Sequence, residues 1–263
     1  MRPNTIRSVW DQGGCILNGW LHIPSAFAAE VMAHAGWQSL TIDMQHGLID
    51  YGAAVSMLQA IATTPVIPLA RVPWNEPGTI MKMLDAGCYG IICPMIDSRP
   101  ACEAFVGACR YPPHGYRSFG PVRALLYAGQ DYAAHANDTV IAMAMIETRE
   151  AVERLDDILR TPGLDAIYIG PSDLSQSFGY APRLDPVEPE MVHVIEQITA
   201  AAREKGVVVG MHTGSVEYAQ RMAAQGMQFL TVASDARLMA ARAADVTAAF
   251  RSAVSDQPAT SGY

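Results

Sequence analysis

The stretch Ile167-Tyr168-Ile169-Gly170-Pro171-Ser172-Asp173 is a short apolar run that ends in a glycine–proline turn and a carboxylate. An apolar run bounded by glycine and proline is typical of a parallel strand that is covered on both faces. Asp173 then follows the carboxyl end of the strand, where α/β folds carry their chemistry. The same position suits a helix N-cap, so the stretch alone leaves both roles of Asp173 open.

The strand pattern recurs along the chain, and a helical pattern follows each time. The other apolar runs cover residues 15–21, 40–43, 66–72, 89–94, 139–146, 207–212 and 229–233. The helical patterns cover residues 25–35, 51–62, 75–86, 98–110, 150–160, 186–205, 215–225 and 236–248. Eight strand–helix units in 263 residues predict the α/β class and a (β/α)8 TIM barrel. A doubly wound sheet is the competing architecture, but no G-x-G-x-x-G follows the first strand.

The barrel is expected to be one domain over residues 1–254, and the mostly small and polar residues 255–263 are expected to form a flexible tail. One long irregular stretch, residues 111–137, interrupts the alternation and is predicted to hold a short helix at 122–127. Loops of this length inside a compact domain are usually functional or disordered.

The composition narrows the range of partners. A formal net charge of -8 argues against non-specific nucleic-acid binding. No apolar signal core and no uninterrupted 18-residue apolar run is present, so we expect no membrane span. The five cysteines include no CxxC pair, which indicates reduced thiols in a cytoplasmic protein.

Polar side chains follow six of the predicted strands. Strand two ends in Asp43-Met44-Gln45-His46, strand three in Arg71, strand five in Glu147, strand six in Ser172-Asp173, strand seven in His212 and strand eight in Ser234-Asp235. Each alone could be a cap or part of a structural ion pair. In a barrel all of them meet at one rim, which predicts a functional site there.

Glu147 and Asp173 end neighbouring strands and would face the same space. Two close carboxylates repel each other unless a cation lies between them. Two acidic ligands with open positions suit Mg²⁺ or Mn²⁺, whereas the chain has no HxxxH or HExxH pattern for zinc. The alternative is a carboxylate pair neutralised by Arg71 or Arg123. The only lysines, Lys82 and Lys205, lie in helical patterns, so a Schiff-base aldolase is disfavoured.

Six motifs in register carry a family resemblance. They are Ile42-Asp43-Met44-Gln45-His46-Gly47, Ala70-Arg71-Val72-Pro73-Trp74-Asn75, Leu84-Asp85-Ala86-Gly87, Tyr111-Pro112-Pro113-His114-Gly115-Tyr116-Arg117, Ile146-Glu147-Thr148 and Ile169-Gly170-Pro171-Ser172-Asp173-Leu174-Ser175. Together, over residues 4–250, the chain resembles the HpcH/HpaI family of class II, metal-dependent pyruvate aldolases. Each motif is weak alone, but the set in this order is specific.

The resemblance implies a role for each matching residue. Glu147 and Asp173 would bind the divalent metal, which would be Mg²⁺ or Mn²⁺, with Co²⁺ as a further candidate and no organic cofactor. Arg71 would contact the keto oxygen and stabilise the enolate. His46, near Asp43, would belong to an acid–base relay that works through a metal-bound water.

Further roles follow from the same resemblance. The backbone N–H groups of Ser172 and Asp173 would hold the substrate carboxylate. Asp85 would approach the pocket mouth of a neighbouring subunit, and Phe119 would line the aldehyde side. The family also implies a hexamer in which the last helix packs on an adjacent subunit.

Three departures from the family pattern concern the substrate. Gln45 stands where the family often has Glu, Met145 replaces a polar Gln of some members, and His212 occupies a position that is apolar in some members and could face the aldehyde. Gln45 and His212 therefore join the predicted substrate-binding residues. The departures do not affect the residues expected to act on the 2-oxo acid donor, but they leave the identity of the acceptor aldehyde undetermined.

The expected activity is reversible cleavage of a 4-hydroxy-2-oxo acid into pyruvate, or a hydroxypyruvate-like donor, and an aldehyde. One alternative is a lyase of the citrate-lyase β-subunit or malyl-CoA type, which needs a CoA site that this acidic chain does not obviously provide. A second is an oxaloacetate decarboxylase, and a third is a non-catalytic oligomeric scaffold, against which the set of polar strand ends argues.

Overall fold

The computed structural model describes residues 1–255 of the chain, with side chains to residue 252. Eight parallel strands pair in chain order and close into a barrel. They are β1 (Ile16–Leu21), β2 (Ser39–Asp43), β3 (Ile67–Arg71), β4 (Gly90–Cys93), β5 (Ile141–Ile146), β6 (Ala166–Ile169), β7 (Val208–Thr213) and β8 (Phe229–Val232). The predicted (β/α)8 barrel is confirmed.

Helices surround the strands. They are α1 (Thr5–Asp11), α2 (Ala26–Ala33), α3 (Tyr51–Ile61), α4 (Pro77–Asp85), α5 (Arg99–Cys109), α6 (Val122–Ala128), α7 (Tyr132–Thr139), α8 (Arg149–Glu153), α9 (Leu155–Leu159), α10 (Pro171–Ser177), α11 (Pro189–Glu204), α12 (Val216–Ala224) and α13 (Asp235–Ser255). No helix in the described part of the chain is long and apolar enough to cross a membrane.

Most strand residues are apolar because helices cover the outside of most strands and side chains fill the inside of the barrel. Every residue of β2 to β6 is buried. The ring of Trp20 stacks on Tyr168 inside the barrel, at 5.8 Å between centroids. Trp10 in α1 forms a T-shaped pair with Phe229 at 6.3 Å between ring centroids, so α1 lies against the inner cluster of side chains. The barrel is a packed core, and its chemistry is left to the rim.

Several elements differ from the sequence prediction. The short helix expected at 122–127 is confirmed as α6, but α1, α7 and α10 were not expected. The helix predicted at 150–160 is divided into α8 and α9 at Arg154, whose ψ of 12° departs from the helical value. The predicted tail lies outside the described residues from position 256 onward, and Ser255 is the last residue of α13.

The eighth barrel helix leaves the barrel. Side chains of α13 are exposed from residue 237 to residue 252, and they include the apolar Met239, Val246 and Phe250. A largely apolar groove of about 420 Å³ lies between β1, β8 and α12, where an eighth helix would cover the strands. Leu17 in β1 is consequently 44% exposed, although it belongs to a barrel strand.

Candidate active site

A pocket of about 160 Å³ opens at the carboxyl rim of the barrel. Its lining comes from the ends of several strands, as expected for this fold. The lining residues are Trp20, His22, His46, Arg71, Met145, Tyr168, Gly170, Pro171, Ser172, Asp173, Leu184, His212, Ser234 and Arg237. Five predicted site residues therefore lie around one pocket, namely His46, Arg71, Ser172, Asp173 and His212, and two more, Asp43 and Glu147, contact or adjoin its lining.

Asp43 lies at the centre of a dense hydrogen-bond network. Its carboxylate is fully buried and accepts two bonds from Arg71, from Nε to Oδ1 at 2.9 Å and from Nη2 to Oδ2 at 2.6 Å. Oδ2 also contacts Trp20 Nε1 at 3.1 Å and His22 Nε2 at 2.9 Å. Oδ1 accepts the backbone N–H groups of Gln45 and His46 at 3.0 and 3.3 Å.

These bonds keep Asp43 ionised. Burial disfavours the charged form, but the hydrogen bonds from His22 and Arg71, with the charge of Arg71, outweigh it and hold the pKa of Asp43 well below its usual range. The guanidinium of Arg71 also lies 4.9 Å from the centroid of the Trp20 ring. Arg71 is thus a fixed cation in the wall of the pocket.

The Asp43 carboxylate contacts the backbone of His46 and the imidazole of a different histidine. His46 gives Asp43 only its backbone N–H, while its exposed side chain lines the pocket. The imidazole that contacts Asp43 belongs to His22. Sequence reasoning missed His22, although it follows β1 as the other polar residues follow their strands; applying the strand-end criterion to strand one would have found it.

Glu147 follows β5 and is 2% exposed. Its Oε1 accepts the backbone N–H of Met95 at 2.7 Å, and in the described residues its carboxylate has no other hydrogen bond. Burial, together with the negative charge of Asp173, raises the pKa of Glu147 to about 7. A Cβ at Gly170 would meet Glu147 Oε2 at 2.6 Å, so glycine is what lets the carboxylate lie against the next strand end.

Asp173 is in the first turn of α10, and it does not cap that helix. Gly170 occupies the N-cap position, Pro171 begins the helix, and no side chain caps it. The cap interpretation of Asp173 is therefore wrong, and its carboxylate is available to the pocket that it lines. The backbone N–H groups of Ser172 and Asp173 belong to the first turn, where no intrahelical acceptor exists.

The arginine-neutralised alternative for the two carboxylates is also wrong. Arg71 is paired with Asp43, and Arg123 donates to the backbone carbonyls of Ala86 and Leu58. In the described part of the chain, no arginine forms an ion pair with Glu147 or Asp173.

Two mutually repelling carboxylates beside an open pocket fit a hard divalent cation. In the described residues, no group of three or more His, Cys, Asp or Glu side chains is arranged to hold a metal ion. Such a cation would therefore take only two ligands from the pair Glu147 and Asp173, with the remaining positions open to water and substrate oxygens, as is usual for Mg²⁺.

His212 lies in the pocket wall on β7. Its Nδ1 is 3.3 Å from the hydroxyl of Tyr168, and its ring forms a T-shaped pair with Trp20 at 5.0 Å between ring centroids. Burial, together with the charges of Arg71 and His22, lowers the pKa of His212 to about 3. The imidazole is therefore neutral near pH 7 and can offer one donor and one acceptor.

The other predicted residues lie in different places. Gln45 is not among the lining residues; its backbone N–H contacts Asp43, and among the described residues its buried Oε1 has no hydrogen-bond partner. Asp85, at the end of α4, accepts a bond from Arg117 Nη2 at 2.6 Å. Phe119 is 70% exposed and packs against Tyr111 at 5.7 Å between ring centroids. Neither Asp85 nor Phe119 lines the pocket of its own chain.

Comparison with known proteins adds three relatives and one family model. Residues 19–241 match the family described as HpcH/HpaI aldolase/citrate lyase. A "Hydroxypyruvate/pyruvate aldolase" of Rhizorhabdus wittichii is 42% identical over 93% of this chain and 98% of its own. A "4-hydroxy-2-oxo-heptane-1,7-dioate aldolase" of Escherichia coli is 36% identical over 94% of each chain. The crystal structure of an HpcH/HpaI aldolase/citrate lyase family protein from Burkholderia cenocepacia superposes with a TM-score of 0.88 at 30% identity, covering 94% of this chain and 99% of that one.

Proposed function

The chain belongs to the HpcH/HpaI aldolase/citrate lyase family and is a carbon–carbon lyase, and we propose that it is a class II aldolase for small 2-oxo acids. The donor would be hydroxypyruvate or pyruvate, and the partner an aldehyde. The reaction would run in both directions, forming or cleaving a 4-hydroxy-2-oxo acid. The scaffold alternative is wrong, because the relatives over nearly the whole chain are aldolases.

The observation that carries the proposal is the opposition of charges across one small pocket. Glu147 and Asp173 supply negative charge at the ends of β5 and β6, and the Arg71 guanidinium supplies positive charge at the end of β3. A 2-oxo acid carries a carboxylate and a keto oxygen on adjacent carbons, which suits such a site. A divalent ion held by the two carboxylates, Mg²⁺ or Mn²⁺ with Co²⁺ as a third candidate, would stabilise the enolate charge.

Two hydrogen bonds to Asp43 fix the Arg71 guanidinium and leave one nitrogen to donate to a substrate keto oxygen. Asp43 occupies its Nε and Nη2, and in the described residues no acceptor is bound to Nη1. Because the side chain is already fixed, little conformational entropy is lost when Nη1 donates to a substrate oxygen. Developing negative charge on that oxygen would be stabilised as it forms.

The substrate carboxylate would lie at the start of α10, where the free N–H groups of Ser172 and Asp173 can donate to it. Gln45 and His212 would contact the remaining substrate atoms. His46, whose side chain lines the pocket, would take part in proton transfer. By the family resemblance, Asp85 would approach the pocket mouth of a neighbouring subunit and Phe119 would line the aldehyde side.

The proposal is tested by an aldol assay. Purified protein with Mg²⁺ or Mn²⁺ should form product from hydroxypyruvate or pyruvate and at least one of a panel of short aldehydes, followed by chromatography of the hydroxy-oxo acid. EDTA should abolish turnover, and added metal should restore it. Full activity in EDTA would contradict the class II assignment. Malyl-CoA and oxaloacetate, run as alternative substrates, should be turned over more slowly than the aldol.

The proposal includes a homo-oligomer, a hexamer by family resemblance, in which α13 packs on an adjacent subunit. Two observations support it. The helix exposes Met239, Val246 and Phe250 on one face, and a groove beside β1 lacks the helix that would cover it. A cytoplasmic location is also proposed, supported by five free cysteines, which reducing compartments keep unpaired.

Charge on the apolar face of α13 should break the assembly. The double variant Met239→Asp, Phe250→Asp is expected to sediment as a smaller species than wild type in analytical ultracentrifugation, because two buried charges would each cost several kcal/mol at an apolar contact. Ala248→Asp, on the opposite face of the same helix, is the matched control and should keep the wild-type mass. An unchanged mass for the double variant would remove α13 from the interface.

A further inference from the structure

The side chain of His22 is partly exposed in the pocket, and one edge of its ring is held by a buried carboxylate. Nε2 lies 2.9 Å from Asp43 Oδ2, and 31% of the side chain is exposed whereas Asp43 is fully buried. An imidazole fixed on one edge and open on the other is the usual arrangement of a proton-transfer histidine.

The tautomer of His22 follows from its partner. Asp43 is ionised, as its network of donors requires, and an ionised carboxylate can only accept hydrogen bonds. Nε2 must therefore carry a proton. In the neutral ring, Nδ1 is then the unprotonated nitrogen, and none of the described residues donates to it. His22 thus has a free basic nitrogen in a ring whose opposite edge is anchored.

Backbone contacts hold His22 in place from two directions. Its N–H donates to Asp235 Oδ1 at 2.8 Å, and the next N–H, of Ile23, donates to Oδ2 at 3.2 Å. Its carbonyl accepts the N–H of Leu48 at 3.1 Å. The first residue of α13 and the loop that carries His46 therefore both fix the segment after β1.

Asp43 does not need His22 to satisfy its hydrogen bonds. Five other contacts reach the carboxylate, two from Arg71, one from Trp20 and one each from the backbone of Gln45 and His46. A carboxylate has about four lone-pair sites, so Asp43 would remain fully hydrogen-bonded without the donor from His22, although that donor adds to the stabilisation of the charge. The contact is better explained as a means of orienting the imidazole than of satisfying the carboxylate.

We propose that His22, paired with Asp43, is a catalytic proton-transfer residue of the aldol reaction. The inference rests on the proposed function and extends it to a residue outside the predicted site. In the synthetic direction, Nδ1 takes a proton from C3 of the donor, and the C–H electrons become the enolate. The enolate then forms the C3–C4 bond with the aldehyde, and the imidazolium returns its proton to the new alkoxide. Asp43 stabilises the imidazolium between the two steps.

The first test measures how fast the C3 protons of the donor exchange for deuterium. The exchange is monitored by NMR with metal-loaded enzyme and without aldehyde. His22→Ala should slow exchange by roughly 100-fold or more, the usual contribution of a general base, and added imidazole should restore part of it. His22→Gln keeps a donor for Asp43 but has no base, so it should be as slow as His22→Ala. Wild-type exchange in either variant would overturn the proposal.

The second test does not depend on activity. ¹⁵N chemical shifts of histidine-labelled wild-type protein should show the His22 ring protonated at Nε2 and unprotonated at Nδ1, with His22→Gln giving the assignment. The opposite tautomer would overturn the proposal even if exchange were slow in the variants. If wild-type protein exchanges no proton of pyruvate or hydroxypyruvate, the proposed function fails, whereas the tautomer still reports whether His22 is held as a base.

Discussion

Glu147→Gln is expected to lower the affinity for Mg²⁺ or Mn²⁺ by roughly 100-fold or more, since losing even an outer-shell partner costs about 10- to 100-fold. Aldol turnover at fixed metal concentration should fall by about 1,000-fold, because a bound cation contributes several kcal/mol of transition-state stabilisation. Calorimetric metal titration and the aldol assay measure the two effects. Unchanged metal affinity would remove Glu147 from the ligands.

In the metal-free protein, the same substitution is expected to be favourable, because it should raise the free energy of unfolding at high pH. The pKa of Glu147 rises from 4.5 to about 7 in the folded chain, so between these pH values the folded state holds a proton that the unfolded state has released. Apo wild type therefore loses stability as pH rises through this window, on the order of 3 kcal/mol in total. Glutamine has no such titration, so apo Glu147→Gln should be more stable than apo wild type at pH 8.

Wild-type metal affinity should rise with pH up to about 7, because the ion competes with the Glu147 proton. Glu147→Gln should lose this pH dependence. Glu150→Gln is the matched control, since Glu150 lies three residues away on α8, is about half exposed and pairs with Arg154 just after that helix. It should leave metal affinity, apo stability and turnover at wild-type values.

Asp43→Asn is expected to have the second large effect. The carboxylate of Asp43 accepts hydrogen bonds from two Arg71 nitrogens, from His22 and from Trp20. An asparagine has only one oxygen to accept them, and its NH₂ group would lie opposite N–H groups that are themselves donors. Removing one partner of a buried ion pair costs about 3–5 kcal/mol of unfolding free energy. Turnover of the folded protein should fall by roughly 100- to 1,000-fold as Arg71 loses its fixed position, the usual cost of losing a charge-stabilising donor.

Asp165→Asn is the control that separates loss of stability from loss of turnover. Asp165 precedes β6 at the opposite rim, where it pairs with Arg7 at 2.8 Å and Arg110 at 2.6 Å. Its replacement should destabilise the barrel to urea while leaving the kcat of the folded enzyme unchanged. If Asp43→Asn lost stability but kept wild-type kcat, Asp43 would be a structural residue and the proposed role of Arg71 would fall with it.

Strand ends were readable in the sequence because their physical signal is local. Glu147, Asp173, Arg71 and His212 each follow an apolar run, and a closed parallel barrel brings all such ends to one rim. Helices without a strong apolar face were missed. The short α10 begins at Pro171, directly after the strand, and it is too short to show a helical period in the sequence. Because this helix was not predicted, the position of Asp173 in a first helical turn was not predicted either.

Which groups pair with one another was decided by tertiary structure alone. The position of Asp43 in sequence indicates only that it is near His46, whereas in the fold its carboxylate contacts Trp20 of β1, His22 just after β1 and Arg71 of β3. Sequence separation does not encode such contacts, because they depend on the register of adjacent strands. Here Asp43 is paired with Arg71 across β2 and β3, and Trp20 with Thr41 across β1 and β2.

The sequence by itself determined the barrel, the rim that carries the site, and the carboxylates, arginine and histidines on it, because hydrophobic period and strand-end position are properties of short segments. Tertiary structure decided which imidazole faces the buried carboxylate, that Glu147 lies against Gly170 with its pKa raised, and that α13 leaves its own barrel. These depend on burial and on distances between segments far apart in the chain, which set the free energy of each charge and are fixed only when the strands close.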